Sequence, residues 1–257
     1  VSEQPTTNNE QLLAFAHRLV DTGGEIIRPY FGQHGDVEAK GDASPVTQAD
    51  KAAEHAMRAL IESEFPDHGM YGEEYGQTGT DKKYVWVIDP IDGTRAFIAG
   101  KKEWGTLIAL CENGVPILGI LNQPVTGERW VGTMGQPTTY NGQPIRTRPW
   151  PTLAQAVIST TSKNYFTPVE AKQFVALAEQ CAAVIEDGDC YAYGLLARGA
   201  RDIVVDAGLK PYDILALVPI IEGAGGKISG WDGTPVTLTH YANVIASGDA
   251  SLNLLLN

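Results

Sequence analysis

The hexapeptide Asp89-Pro90-Ile91-Asp92-Gly93-Thr94 sets two carboxylates three positions apart and ends in a glycine and a hydroxyl. Carboxylates so spaced can converge on divalent cations, which favour hard oxygen ligands, and a glycine lets backbone N–H groups approach a phosphate. The same residues would also suit a capped surface turn, since Asp and Gly are common turn formers. Two other segments shift that balance. Gly72-Glu73-Glu74 lies upstream and Tyr212-Asp213 opens an apolar stretch downstream, so three separated segments each offer a carboxylate at the end of an element. Taken singly, Glu73 or Glu74 could be a solvated glutamate and Asp213 a first-turn residue favoured by the helix dipole.

The elements that must position these groups follow from periodicity. The apolar run Tyr84–Ile88 predicts a buried strand that ends in a turn at Asp89-Pro90. Leu12, Leu13, Ala16, Leu19, Val20, Ile26 and Ile27 recur at helical spacing and predict an amphipathic helix from about Asn9 to Tyr30. Thr47-Gln48-Ala49-Asp50 has the form of a capping box for a second helix that Pro66 stops. Strands over 106–110, 116–121 and 129–131, separated by Asn113-Gly114 and Thr126-Gly127 turns, predict an antiparallel meander. Beyond them the pattern alternates. Strands are expected at 156–160, 202–205, 227–229 and 244–246, and helices at 169–181, 190–198 and 212–222.

Composition narrows the class. The 257 residues carry 19 Lys+Arg against 31 Asp+Glu, a net charge of −12, with 43% hydrophobic residues, enough for a real core. Such an acidic chain, whose Lys82-Lys83 and Lys101-Lys102 are isolated pairs, is not expected to bind nucleic acid. Its longest apolar run, Ile214–Ile221, falls far short of the roughly 18 residues of a membrane span. Cys111, Cys181 and Cys190 are odd in number and lack CxxC spacing, which fits a reducing, cytoplasmic setting. His17, His34, His55, His68 and His240 are scattered and read as structural or exposed, and Lys40 as a surface residue.

Trp86–Thr94, together with Gly72-Glu73-Glu74, Tyr212-Asp213-Ile214-Leu215-Ala216 and Glu222-Gly223-Ala224-Gly225-Gly226, resembles the inositol monophosphatase superfamily in order and spacing. The resemblance covers essentially the whole chain. It implies an α+β fold, a layered α-β-α-β-α sandwich, and Mg²⁺-dependent hydrolysis of a small phosphate monoester by a homodimer that Li⁺ inhibits. It treats 1–257 as one phosphatase unit with candidate sub-halves 1–148, bearing the metal motif, and 149–257, bearing specificity, divided near the Pro-rich stretch Arg146–Pro151. Carried over by position, Glu73, Asp89 and the Ile91 carbonyl hold one ion, and Asp89, Asp92 and Asp213 a second. Glu73 supports a third. Glu73 and Thr94 orient the attacking water, and Asp92, Gly93 and Thr94 meet the substrate. Asp50 stands where the family has a carboxylate near Thr94, and capping and catalysis are both open to it. A haloacid-dehalogenase-type phosphatase would need two aspartates spaced by two, unlike Asp89 and Asp92.

Gly188-Asp189-Cys190-Tyr191-Ala192-Tyr193 and Asp206–Asp213, with Arg95-Ala96-Phe97 and Trp104-Gly105-Thr106, resemble the histidinol-phosphate phosphatase branch. An added carboxylate beside the leaving group favours a cationic one over a neutral polyol. Asp189 and Asp206 are therefore expected to bind the substrate ammonium, or Asp189 to be a helix N-cap. Asp206 stands where that branch usually has glutamate. The alternatives are an inositol-1-phosphatase or broad sugar-phosphate phosphatase, and, from another class, a non-catalytic metal-binding homologue.

Overall fold

The structure, a computed structural model, describes residues 6–33, 37–39, 45–150 and 152–249. His34, Lys40 and the N-terminal five residues lie outside them. The first part runs α1 (Thr6–Ile27), β1 (Val37–Ala39), β2 (Pro45–Thr47), α2 (Gln48–Glu64), β3 (Gly69–Gly72), β4 (Gly76–Thr78), β5 (Tyr84–Asp92) and α3 (Thr94–Ile98). It continues through β6 (Gly105–Glu112), β7 (Val115–Gln123), β8 (Glu128–Thr133), β9 (Thr139–Tyr140) and β10 (Gln143–Pro144). Then follow β11 (Val157–Thr160), α4 (Pro168–Ala178), β12 (Ala183–Glu186), α5 (Asp189–Ala197), β13 (Ile203–Asp206), α6 (Pro211–Ile214), α7 (Leu217–Gly223), β14 (Lys227–Gly230) and β15 (Val244–Ser247).

Strand alternation builds the layers. In β5 and β6, Val85, Val87, Leu107 and Ala109 face one core, while Trp86, Ile88, Ile108 and Leu110 face another. The second core is closed by Leu12, Phe15, Leu19, Ala53, Met57 and Ile61 of α1 and α2. The first is closed by α5, α6 and α7, whose Leu196, Ile214 and Ile220 also touch Val204 and Ala246 of the other sheet's inner face. That sheet's outer face, Ile158, Ile203, Val205 and Ile245, packs on Phe174 and Leu177 of α4. The order is helix, sheet, helix, sheet, helix, as the resemblance implied. The larger sheet has eight strands in the order β10-β9-β8-β7-β6-β5-β3-β4, antiparallel except for β3 with β5. The smaller is β12-β11-β13-β15-β14, with β12, β11 and β13 parallel.

The expected meander is present as β5 to β8, with longer strands. Four expectations need correction. The first helix gives way at Ile27 to a 3₁₀ turn, Arg28–Tyr30, with Pro29 inside it. The helix expected at 169–181 ends at Ala178. The helix expected over 212–222 divides into α6 and α7, because Pro219 has no N–H to give the Leu215 carbonyl. β5 does not stop at Ile88 but continues to Asp92. β3, β4 and the exposed edge strand β12 were not anticipated.

A glycine pair sets the middle layer. Gly119 of β7 and Gly132 of β8 are register partners. A Cβ on Gly119 would collide with the Ala216 carbonyl, and one on Gly132 with the Ile220 amide. Bare backbone is therefore the surface on which α7 and Ala216, just before it, rest.

Candidate active site

Residues three apart on a regular strand point to opposite faces of a sheet. In β5 the pairing shifts between Asp89, opposite Leu107, and Asp92, opposite Gly105, so three steps on one strand match two on the other. This bulge changes the parity and brings both carboxylates to one side. Pro90 cannot donate to the ladder, and its carbonyl instead accepts from Thr106 Oγ1 at 2.8 Å. The Ile91 amide donates to Asp89 Oδ1 at 3.1 Å, and the Ile91 carbonyl accepts from Thr94 Oγ1 at 3.2 Å.

Asp213 arrives from the first turn of α6, where its Oδ2 accepts from the Lys210 amide at 2.7 Å. Oxygens of Asp89, Asp92 and Asp213 lie within 4.8 Å of one another, and so do those of Asp50, Glu73 and Glu74. Burial pushes the Asp89 and Asp92 carboxyls well up. Glu73, Asp92, Asp50 and Asp213 add their repulsion at Asp89, and Asp189 and Asp213 at Asp92. Asp213 is pushed up to about 7, first by burial. Close, buried carboxylates with purely hard donors fit a divalent cation, whose charge would hold them ionised.

Three positioning groups were not singled out from sequence. The Cys190 amide donates to Asp92 Oδ2 at 2.6 Å. Glu54, fully buried in α2, accepts from the Glu74 amide at 2.7 Å and the Tyr75 amide at 3.2 Å, and so holds the turn that carries Glu73. Arg58 balances its charge at 2.7 Å and reaches the Gly76 carbonyl. The available signal was Glu54 and Arg58 one helical turn apart.

Beside the carboxylates is a cavity of about 310 Å³ lined by Glu73, Asp92, Gly93, Thr94, Asp189 and Asp213, with Arg95, Tyr165, Asp206 and Lys210 around them. Among the described residues no histidine lines it. Gly93 has φ +89°, and a Cβ there would meet Trp104 Cβ at 3.0 Å and Asp189 Oδ2 at 3.1 Å, so glycine is required both for conformation and for space. Asp189 is not the N-cap of α5. Gly188 fills that position, and Asp189 follows with φ +39°, a strained value for a residue with a Cβ. Its carboxylate accepts no hydrogen bond among the described residues, and burial, with the Asp206 charge next, pushes it up to about 6. Asp206 differs. It accepts from Thr160 Oγ1 at 3.2 Å, the Thr161 amide at 2.7 Å and the Tyr193 hydroxyl at 2.9 Å.

Comparison with known proteins bears on the family and the fold. The sequence model of the inositol monophosphatase family matches residues 8–256. A bifunctional phosphatase, IMPL2, chloroplastic, of Arabidopsis thaliana is 45% identical over 98% of this chain and 75% of its own length. A histidinol-phosphatase of Chlorobaculum parvum is 33% identical over 95% of each chain. The solved structure of an inositol monophosphatase from Zymomonas mobilis superposes with a TM-score of 0.87 at 48% identity, covering 95% of this chain and 94% of the other.

Proposed function

The chain belongs to the inositol monophosphatase family, and from that premise we propose that it hydrolyses L-histidinol phosphate to L-histidinol and phosphate, a step of histidine biosynthesis. Membership makes it a phosphatase of small phosphorylated substrates in a metal-dependent family. The observation that carries the substrate is Asp189, a carboxylate in the cavity with no hydrogen bond of its own, next to Gly93 of the motif. A charge held that way is matched by an ammonium on the leaving group, not by a neutral polyol. The relative named histidinol-phosphatase supports the same reading.

Mg²⁺, two to three ions per site, would be held by Asp89, Asp92 and Asp213 at one position and by Asp89, Glu73 and the Ile91 carbonyl at another, with Glu73 supporting a third. Bound there, the ions would supply positive charge to the attacking and leaving oxygens of an in-line displacement. Thr94 spends its proton on the Ile91 carbonyl, so its oxygen is left to accept from the water that Glu73 orients and deprotonates. Asp50 is buried beside Glu73, behind that water. The amides of Gly93 and Thr94, at the open start of α3, receive phosphate oxygens. Asp189 takes the leaving group's ammonium, with Asp206 beneath it.

The reading carries with it a homodimer and a cytoplasmic setting. A second reading, inositol-1-monophosphatase or a broad sugar-phosphate phosphatase, is favoured by the Zymomonas mobilis structure at 48% identity. Steady-state phosphate release with Mg²⁺ separates the two. A preference of about a hundredfold in kcat/KM for L-histidinol phosphate over inositol 1-phosphate, roughly 2.7 kcal/mol, supports the proposal. The reverse preference removes Asp189 from substrate recognition and leaves the metal chemistry in place.

A further inference from the structure

The carboxyl ends of the three parallel strands β12, β11 and β13 open on the cavity beside the metal ligands, the usual place for recognition in such sheets. β12 leads to Asp189, β13 ends in Asp206, and β11 leads into the turn Thr161–Tyr165. That turn is fastened at several points. The Thr161 amide is held by Asp206 at 2.7 Å, the Lys163 amide by Glu186 Oε1 at 3.1 Å, and the Asn164 amide by Ser162 Oγ at 3.3 Å. Lys163 Nζ also pairs with Glu186 at 3.3 Å, and the Tyr165 amide closes the 3₁₀ turn on the Ser162 carbonyl at 3.2 Å.

On this fixed turn Tyr165 is 50% exposed. It lines the cavity, and among the described residues its ring has no aromatic neighbour and its hydroxyl no hydrogen bond. Three other tyrosine rings at or near the surface are engaged: Tyr75 lies against His55 and Arg58, Tyr212 against Tyr71, and Tyr191 against Trp130. A rigidly mounted aromatic face turned into a polar cavity is a platform for a flat or cationic group.

We infer that Tyr165 determines specificity at this site: its ring packs on the flat heterocycle of the leaving group while Asp189 meets the ammonium, and Asp206 is a positioning residue that holds Tyr165 in place. This rests on the histidinol phosphate reading, in which the heterocycle is an imidazole. All three donors to Asp206 come from the protein, so its carboxylate acts through the wall it anchors. The shorter aspartate suits that task because the groups it binds belong to neighbouring elements and not to a substrate beyond them.

The test compares wild type, Tyr165→Ala, Tyr165→Phe and Asp206→Asn with L-histidinol phosphate and inositol 1-phosphate, after each variant has shown wild-type thermal stabilisation by Mg²⁺. Tyr165→Ala is expected to raise KM for histidinol phosphate about tenfold with kcat little changed, and to affect inositol 1-phosphate less than about threefold. Tyr165→Phe keeps the ring and should keep wild-type KM. Asp206→Asn should share the KM-selective loss and add little to Tyr165→Ala in the double variant. Equal effects on both substrates, or none, overturn the role of Tyr165. An Asp206→Asn loss in kcat alone overturns the positioning role. A wild type that does not prefer histidinol phosphate overturns the substrate reading itself, and the inference with it.

Discussion

The Cys190 amide and the Asp92 carboxylate, 98 positions apart, meet at 2.6 Å. The bond ties the start of α5, in the layer between the sheets, to the bulged end of β5, and it aims Asp92 at Asp89 and Asp213. A carboxylate held by backbone cannot swing away when its neighbours change rotamer.

Asp92→Asn retains an oxygen for that bond and removes the charge. Phosphate release should fall on the order of a hundredfold or more. Thermal denaturation without metal should be unchanged or higher, because burial and the charges of Asp189 and Asp213 already work against ionised Asp92. Near-wild-type turnover would take Asp92 out of the chemistry.

Glu54→Gln tests support of the site from behind. It leaves the Arg58 guanidinium, little exposed, without its counter-charge, which should cost about 3 kcal/mol in urea unfolding. The turn carrying Glu73 and Glu74 should also loosen, raising the Mg²⁺ concentration for half-maximal activity about tenfold. A stability loss with unchanged Mg²⁺ dependence would confine Glu54 to folding.

The pH dependence has a definite sign. Asp213 is raised from 3.8 to about 7 in the folded chain, so that chain binds this proton more tightly than the unfolded one. The stability it contributes is fully present below the unfolded value and is lost as pH rises through the folded one. Metal-free protein should therefore lose Tm across that window, and Mg²⁺ should restore more Tm at pH about 8 than at about 5. Asp213→Asn should flatten both curves. A Mg²⁺ shift independent of pH would contradict the shared carboxylate site.

Asp189→Gly separates stability from recognition. Relief of the left-handed backbone, φ +39°, should stabilise the fold by about 1 kcal/mol. Discrimination in favour of a cationic leaving group should vanish in the same variant. A glycine variant that is less stable would mean the strain is absent in solution.

Much of this was legible in the sequence, for local reasons. The run Tyr84–Ile88 is apolar at every position because both its faces are buried, and the helices showed their spacing. The carboxylate motif stood out as residues. What escaped depends on long-range pairing. The bulge that brings Asp89 and Asp92 together exists only relative to β6, and a strand ending at Ile88 was the natural local reading. Glu54 looks like any helical glutamate until the 73–75 turn folds over it. The N-cap alternative for Asp189 failed because Gly188 already holds that position. Asp206 could not be seen as internally satisfied while its partners lay 46, 45 and 13 positions away.

The glycine pair under α7 bears on how such a protein can diverge. Because Gly119 and Gly132 present backbone to backbone, the height of α7 above the sheet is set by the covalent dimensions of the chain and not by any side-chain volume. Substitutions elsewhere in the surrounding core can change its packing while α7 keeps its level. The seam is thus a datum plane: it admits no side chain itself, and sequence drift is left to the core around it.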